Sequence, residues 1–221
     1  MEAIQACLFD LDGVLVDTAK YHYQAWKRLA EELGFEFTEQ DNERLKGVSR
    51  DASLQILLEV GGITVEEEER KRLAERKNNW YVESISRMDA SEILPGALEF
   101  LKDCQANGIK TALGSASKNA QLILNNTGLA AYFDAIVDGT LTSRAKPDPE
   151  VFLLGAEKLG VAPSACVVFE DAEAGIEAAV RAGMRSVGIG SPAILTKAAL
   201  VLPSLEGFSA DRLFQELKAA I

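Results

Sequence analysis

From Leu94-Pro95-Gly96 onward, this chain alternates short apolar runs with amphipathic stretches of helical spacing, and no other feature limits its fold as much. The apolar runs at residues 109–114, 135–137, 165–169 and 185–189, with a weaker one near Leu200, read as strands buried on both faces. Helices are expected between and after them, at 97–105, 119–126, 149–159, 172–182 and 210–219. Parallel neighbours in a sheet need crossover connections, and those crossovers are right-handed. The rhythm therefore specifies an α/β fold with a doubly wound, mostly parallel Rossmann-like core sheet. One more strand opens the chain at 4–9, a nearly continuous apolar run that stops at Asp10.

Between the first strand and Pro95 the chain changes character. It is rich in Glu, Lys, Arg and Leu, and Trp26, Leu29, Ala30 and Leu33 fall at i, i+3, i+4 and i+7. Gly34 ends that helix, and further helices are expected at 39–46, 51–60 and 65–88. The acid run 66–69 suits a helix start, where the macrodipole favours negative charge. This reading divides the chain into a core of residues 1–16 and 92–221 and an inserted α-helical cap domain of residues 17–91.

The 221 residues are 48% apolar and 26% charged, enough for a core that needs no disulfides. Cys7, Cys104 and Cys166 are far apart among apolar neighbours, which reads as buried, reduced thiols. A formal charge of −11 with no long basic run argues against nucleic acid and anionic membranes as partners. It leaves room for a phosphorylated substrate in a locally basic cleft. The N-terminus lacks a basic, then apolar, leader pattern, so a cytoplasmic protein is expected. Nothing demands an assembly, and a monomer is expected.

In an open α/β sheet, ligands lie outside the carboxyl ends of the strands. The residues at those ends here are Asp10-Leu11-Asp12-Gly13, Gly114-Ser115-Ala116-Ser117 and Glu170-Asp171, with Lys146-Pro147 in a loop between. Two acid pairs, hydroxyls and a lysine thus converge on one edge. A carboxylate that attacks a phosphate meets anion–anion repulsion, so a divalent cation is needed. Asp10, Glu170 and Asp171 offer the hard oxygens that Mg²⁺ prefers. Asp12, carried round by Gly13, can serve as general acid/base. Ser115 and Lys146 would stabilise charge on the moving phosphoryl group, and the helix start near Ser117-Lys118-Asn119 offers an anion site. Each piece alone has a plainer reading: Asp-Gly is common turn chemistry, serines cap helices, and Lys and Arg mostly face solvent. No GxxxxGK[ST] loop is present, and Gly188-Ile189-Gly190 falls short of a dinucleotide fingerprint.

The set Phe9-Asp10-Leu11-Asp12-Gly13-Val14-Leu15, Ser115, Lys146-Pro147 and Glu170-Asp171 resembles the haloacid dehalogenase superfamily of phosphotransferases, with its four motifs in order. A narrower resemblance, to the β-phosphoglucomutase family, lies in Asp17-Thr18-Ala19-Lys20-Tyr21-His22 with Trp26, in Leu45-Lys46-Gly47-Val48-Ser49-Arg50 and in Arg76-Lys77-Asn78. The segment Ser115-Ala116-Ser117-Lys118-Asn119 fits that family too. The resemblance implies that Asp10 is the phosphorylated nucleophile and Asp12 the general acid/base. It implies that His22 orients Asp12, and that Mg²⁺ is held by Asp10, Asp12, Glu170 and Asp171. Arg50 with Ala116, Ser117, Lys118 and Asn119 would hold the phosphate not being transferred. Thr18, Lys46, Gly47, Ser53 and Lys77 would line the sugar side, and Trp26 would shape the pocket. The implied partners are a phosphosugar substrate and a sugar bisphosphate intermediate. A sugar-phosphate phosphatase of the same superfamily is the competing reading. A catalytically silent phosphosugar sensor is a third, and it would have no need of Asp10, Asp12, Lys146 and Asp171 together.

Overall fold

The computed structural model describes residues 4–46 and 48–219. Its centre is a parallel sheet of six strands: β1 (Ala6–Phe9), β2 (Lys110–Gly114), β3 (Ala135–Val137), β4 (Cys166–Glu170), β5 (Arg185–Ile189) and β6 (Leu200–Leu202). The strand order is β3-β2-β1-β4-β5-β6, so the first strand of the chain is central. Ala6 pairs with Lys110 on one side and Cys166 on the other, and Phe9 with Leu113 and Phe169.

Side chains on a strand alternate between faces, and β1 shows what that does. Cys7 and Phe9 enter a core with Phe100, Val167 and Phe169, whereas Ala6 and Leu8 enter another with Ala112, Phe152, Ala156 and Val168. Helices α5 (Ala97–Ala106), α6 (Ala120–Thr127) and α9 (Ala210–Ala219) supply the first core, and α7 (Glu150–Leu159) and α8 (Glu173–Arg181) the second. Phe9 stacks on Phe169 at 4.8 Å between centroids and meets Phe100 edge-on at 6.0 Å. Truncating such a buried ring costs about 3–5 kcal/mol. The three cysteines are buried and unbridged.

Between β1 and β2 run α1 (Ala19–Glu32), α2 (Glu39–Glu43), α3 (Arg50–Gly61) and α4 (Glu67–Ile85). They enclose a third apolar cluster around Trp26, Leu29, Phe37, Leu54, Leu57 and Leu73. The helix expected over 39–46 is shorter. Arg44, Leu45 and Lys46 instead donate to the carbonyls of Asp41, Asn42 and Glu43, a tighter winding that turns Leu45 inward. Thr38 and Asp41 form a capping box at the start of α2, and Ser49 caps α3 through the Ala52 N–H. The chain leaves and returns along paired segments. Leu94 N–H donates to the Leu15 carbonyl at 2.9 Å and Asp17 N–H to the Glu92 carbonyl at 2.9 Å. Among the described residues no helix is long and apolar enough to cross a membrane.

Candidate active site

Strand order reverses between β1 and β4, because β2 and β3 extend from one side of β1 and β4 to β6 from the other. Residues at the carboxyl ends of these two strands face one crevice. Asp10 follows β1, and its N–H donates to the Phe169 carbonyl at 2.9 Å. Glu170 ends β4. Lys146, from the loop before α7, reaches between them: Nζ donates to Asp10 Oδ1 at 2.7 Å and to Glu170 Oε1 at 2.5 Å. All three residues are buried. The second oxygen of Glu170 accepts the Ala172 N–H at 3.0 Å.

Two glycines make this packing possible. A Cβ on Gly175 would stand 1.8 Å from Glu170 Oε1, so only glycine lets α8 press on that carboxylate. Gly13, at φ +80°, turns the chain in the left-handed region, and a Cβ there would meet Asp171 Oδ2 at 2.3 Å.

Carboxylate oxygens of Asp10, Glu170 and Asp171 lie within 4.8 Å of one another. Burial opposes the Lys146 charge, but the Asp10 and Glu170 carboxylates outweigh it and hold the ammonium above the ordinary lysine range. Burial pushes Glu170 up to about 7 despite Lys146. Burial, then the Glu170 and Asp10 charges, push Asp171 well up. One lysine does not balance three enclosed carboxylates, and a cation would. Hard oxygens at this spacing could hold a divalent metal ion. The Asp12 carboxylate is not part of this cluster.

Asp12 turns instead toward the helical segment. Thr18 Oγ1 donates to its Oδ1, and His22 Nε2 lies 3.8 Å from the same oxygen. Burial first, and the Asp10 charge second, lift the Asp12 carboxyl to about 6. Lys77 Nζ lies 2.9 Å from His22 Nδ1 and sits over the rings of Trp26 at 4.5 Å and Tyr81 at 4.7 Å. His22 stacks on Tyr81 at 4.0 Å. Burial, then Lys77 and Arg50, depress His22 well below its usual value, so the imidazole is neutral near pH 7. While Lys77 is protonated it can only donate to Nδ1, and the ring proton then sits on Nε2, facing Asp12. Burial, with Arg50 second, brings Lys77 down to about 7.

The two groups meet around a cavity of ≈ 300 Å³, within the range of small-ligand sites. Asp10, Asp12, Asp171, His22, Trp26, Lys46, Arg50, Ser53, Lys77, Ala116, Ser117, Lys118 and Asn119 line it, as the sequence leads one to expect. Ser115, Lys146, Glu170 and Thr18 are buried and absent from that lining, so they act on the cavity through what they hold. Ser115 Oγ accepts the Ser117 N–H at 3.1 Å and Ser117 Oγ the Asn119 N–H at 3.2 Å, so both serines also shape the turn into α6. Asn119 Nδ2 donates to Asn78 Oδ1 at 3.0 Å, joining this turn to α4. Gly47 lies outside the described residues. Tyr81, Asn42, Asp51 and residues 142–145 line the cavity without having been singled out in the sequence. Tyr81 had a usable signal: it stands four residues after Lys77, on the same helix face.

The β-phosphoglucomutase of Bacillus subtilis (strain 168) is 41% identical over 215 residues, covering 96% of this chain and 95% of that protein. A phosphorylated carbohydrates phosphatase of Thermotoga maritima is 36% identical over 187 residues, 83% of this chain and 84% of its own length. A crystal structure of β-phosphoglucomutase from Clostridium difficile superposes with a TM-score of 0.93 at 44% identity, covering 98% of each chain. The family model for haloacid dehalogenase-like hydrolases matches residues 4–183, the span that carries every carboxylate of the crevice, and to that family this chain belongs.

Proposed function

We propose that this protein is a β-phosphoglucomutase, interconverting β-D-glucose 1-phosphate and β-D-glucose 6-phosphate through β-D-glucose 1,6-bisphosphate. The observation that carries the reading is a cavity lined both by the acidic crevice and by a separate set of cationic, hydroxyl and amide groups. Asp10, paired with Lys146, and Asp171 belong to the first set, and Arg50, Ser117, Lys118 and Asn119 to the second. A phosphatase needs one phosphate site and a water, whereas a mutase must hold a bisphosphate in either direction. The planar fork of Arg50 suits the distal phosphate. The names of the two mutase relatives agree with this reading.

In the proposed mechanism, residues 17–91 act as a cap over a core of 1–16 and 92–221. Asp10 carries the phosphoryl group. Asp12, held by Thr18 and faced by His22 Nε2, takes the proton of the sugar 6-hydroxyl as its oxygen attacks phosphorus, and the P–O bond to Asp10 breaks. After the bisphosphate turns round, Asp10 attacks the other phosphorus. The sugar C1 oxygen then leaves with the proton that Asp12 returns. A carboxyl near 6 suits both roles at neutral pH. Lys146 fixes Asp10 throughout. Asp10, Glu170 and Asp171 would hold Mg²⁺, which when bound neutralises the charge of carboxylates and phosphate. The enclosing helical wall limits water at the aspartyl-phosphate. The reading carries with it a cytoplasmic enzyme that works as a single chain.

Phosphorus NMR of β-glucose 1-phosphate with Mg²⁺ and a trace of the bisphosphate tests this. Glucose 6-phosphate is expected, and it should vanish in Asp10→Ala. Inorganic phosphate as the main product would instead favour the activity named for the Thermotoga relative, and no product at all would leave only a binding protein.

A further inference from the structure

Lys146 is placed by a loop with little scaffolding of its own. Pro147 and Pro149 have no N–H to give. Within residues 142–148 the backbone bonds itself through Asp148 N–H to the Ala145 carbonyl, at 3.0 Å. A side chain takes over the task. Glu150, the first residue of α7, accepts the Ser143 N–H at 3.0 Å and the Arg144 N–H at 2.6 Å on Oε2, and the Ser143 hydroxyl at 3.0 Å on Oε1. Its own N–H donates to Asp148 Oδ1 at 3.0 Å, while Arg144 Nη1 lies 3.1 Å from Asp148 Oδ2. The Arg144 N–H, acting most strongly, holds the Glu150 carboxyl below its usual range. A carboxylate is also favoured at the first turn of a helix.

The clasp closes residues 143–150 into a loop with Lys146 near its middle. Glu150 is not among the cavity-lining residues, so it does not address the substrate itself. Its position matters through Lys146, whose buried ammonium must meet Asp10 and Glu170 together.

We propose that Glu150 is a positioning residue for phosphoryl transfer, fixing the segment that carries Lys146 so that the ammonium meets Asp10. The proposal rests on the phosphoryl-transfer reading of Asp10 and not on which sugar is used. Misplacing a group by about 1 Å can cost about 100-fold in rate.

The test is Glu150→Ala beside Glu150→Gln, with kcat and KM for β-glucose 1-phosphate measured separately. A second readout is acylation of Lys146 by a water-soluble amine-reactive ester, followed by peptide mass mapping. Glu150→Ala should lower kcat about 10- to 100-fold with little change in KM, and expose Lys146 to acylation about 10-fold faster. Glu150→Gln keeps one acceptor oxygen and should fall between the two on both readouts. An unchanged kcat with Lys146 still protected overturns the proposal, as does a raised KM at constant kcat, which would mark a rim residue. If the unmodified protein does not turn over this sugar, the mutase reading fails while Lys146 acylation still decides the clasp. Should Glu150→Ala not fold, the near-isosteric Gln variant carries both readouts.

Discussion

The floor and the helical wall of the cavity treat their cations in opposite ways. On the floor, Lys146 is buried between two carboxylates that raise its proton affinity. On the wall, Lys77 is just as buried among two aromatic rings and a neutral imidazole, and there burial and the Arg50 charge outweigh the Asp12 carboxylate, so its proton affinity falls. On the floor Lys146 meets two of the three carboxylates, and a further cation would balance the rest. The wall holds a cation that Asp12 offsets only in part, which leaves it able to attract a further anion. The same residue type is thus an internal brace in one place and an under-compensated charge in the other.

Three substitutions would break or sharpen this contrast. Lys146→Met should have the largest effect, because it strands the buried Asp10 and Glu170 carboxylates. Losing one partner of a buried pair costs about 3–5 kcal/mol, measurable by urea unfolding at pH 7 in metal-free buffer. A loss under about 1 kcal/mol would mean the floor is not held by this lysine.

Arg50→Ala comes next, and its effect belongs to turnover rather than to folding. Mutase kcat/KM should fall about 100-fold, or about 2.7 kcal/mol, while hydrolysis of a small aryl phosphate falls far less. Equal losses on the two substrates would argue against a distal phosphate site on the wall.

Lys77→Met should show the smallest effect and the opposite sign to Lys146→Met. An apolar chain in place of a buried cation should stabilise the fold by about 1–2 kcal/mol at pH 7. The gap should also close with pH. Lys77 is brought down to about 7 in the folded protein, against an ordinary lysine value of 10.5. Between those limits the unfolded chain binds this proton and the folded chain does not, so raising pH favours the folded state of the parent protein. Urea midpoints of both proteins from pH 7 to pH 10 should therefore converge. Parallel curves would show that Lys77 is compensated in the free protein after all.

The sheet was legible because its signal is local. A strand buried on both faces leaves a run such as 185–189 in the sequence, and β5 occupies those residues. The residues at strand ends were legible for the same reason, since Asp10 and Glu170 interrupt apolar runs that must be strands. The lysine brace was not. Nothing local tells that Lys146 will pair with Glu170, which is 24 positions away, because that pairing depends on strand order. The winding of residues 44–46 was missed because helical spacing continues through Leu45, while the backbone tightens to bury that side chain. Residues 142–145 were passed over because their part in the cavity is set by a carboxylate further along, at Glu150.

The chain leaves for the helices α1 to α4 after Leu15 and returns at Leu94, ahead of α5 and β2, and those two residues are hydrogen-bonded to each other. Both chain connections to the helices between them run through this seam, so those helices carry no part of the register of the six strands. Such a seam is a natural grafting point: a lineage can exchange or remodel the helices above it, and with them the choice of substrate, while the acid-and-lysine machinery below is inherited unaltered.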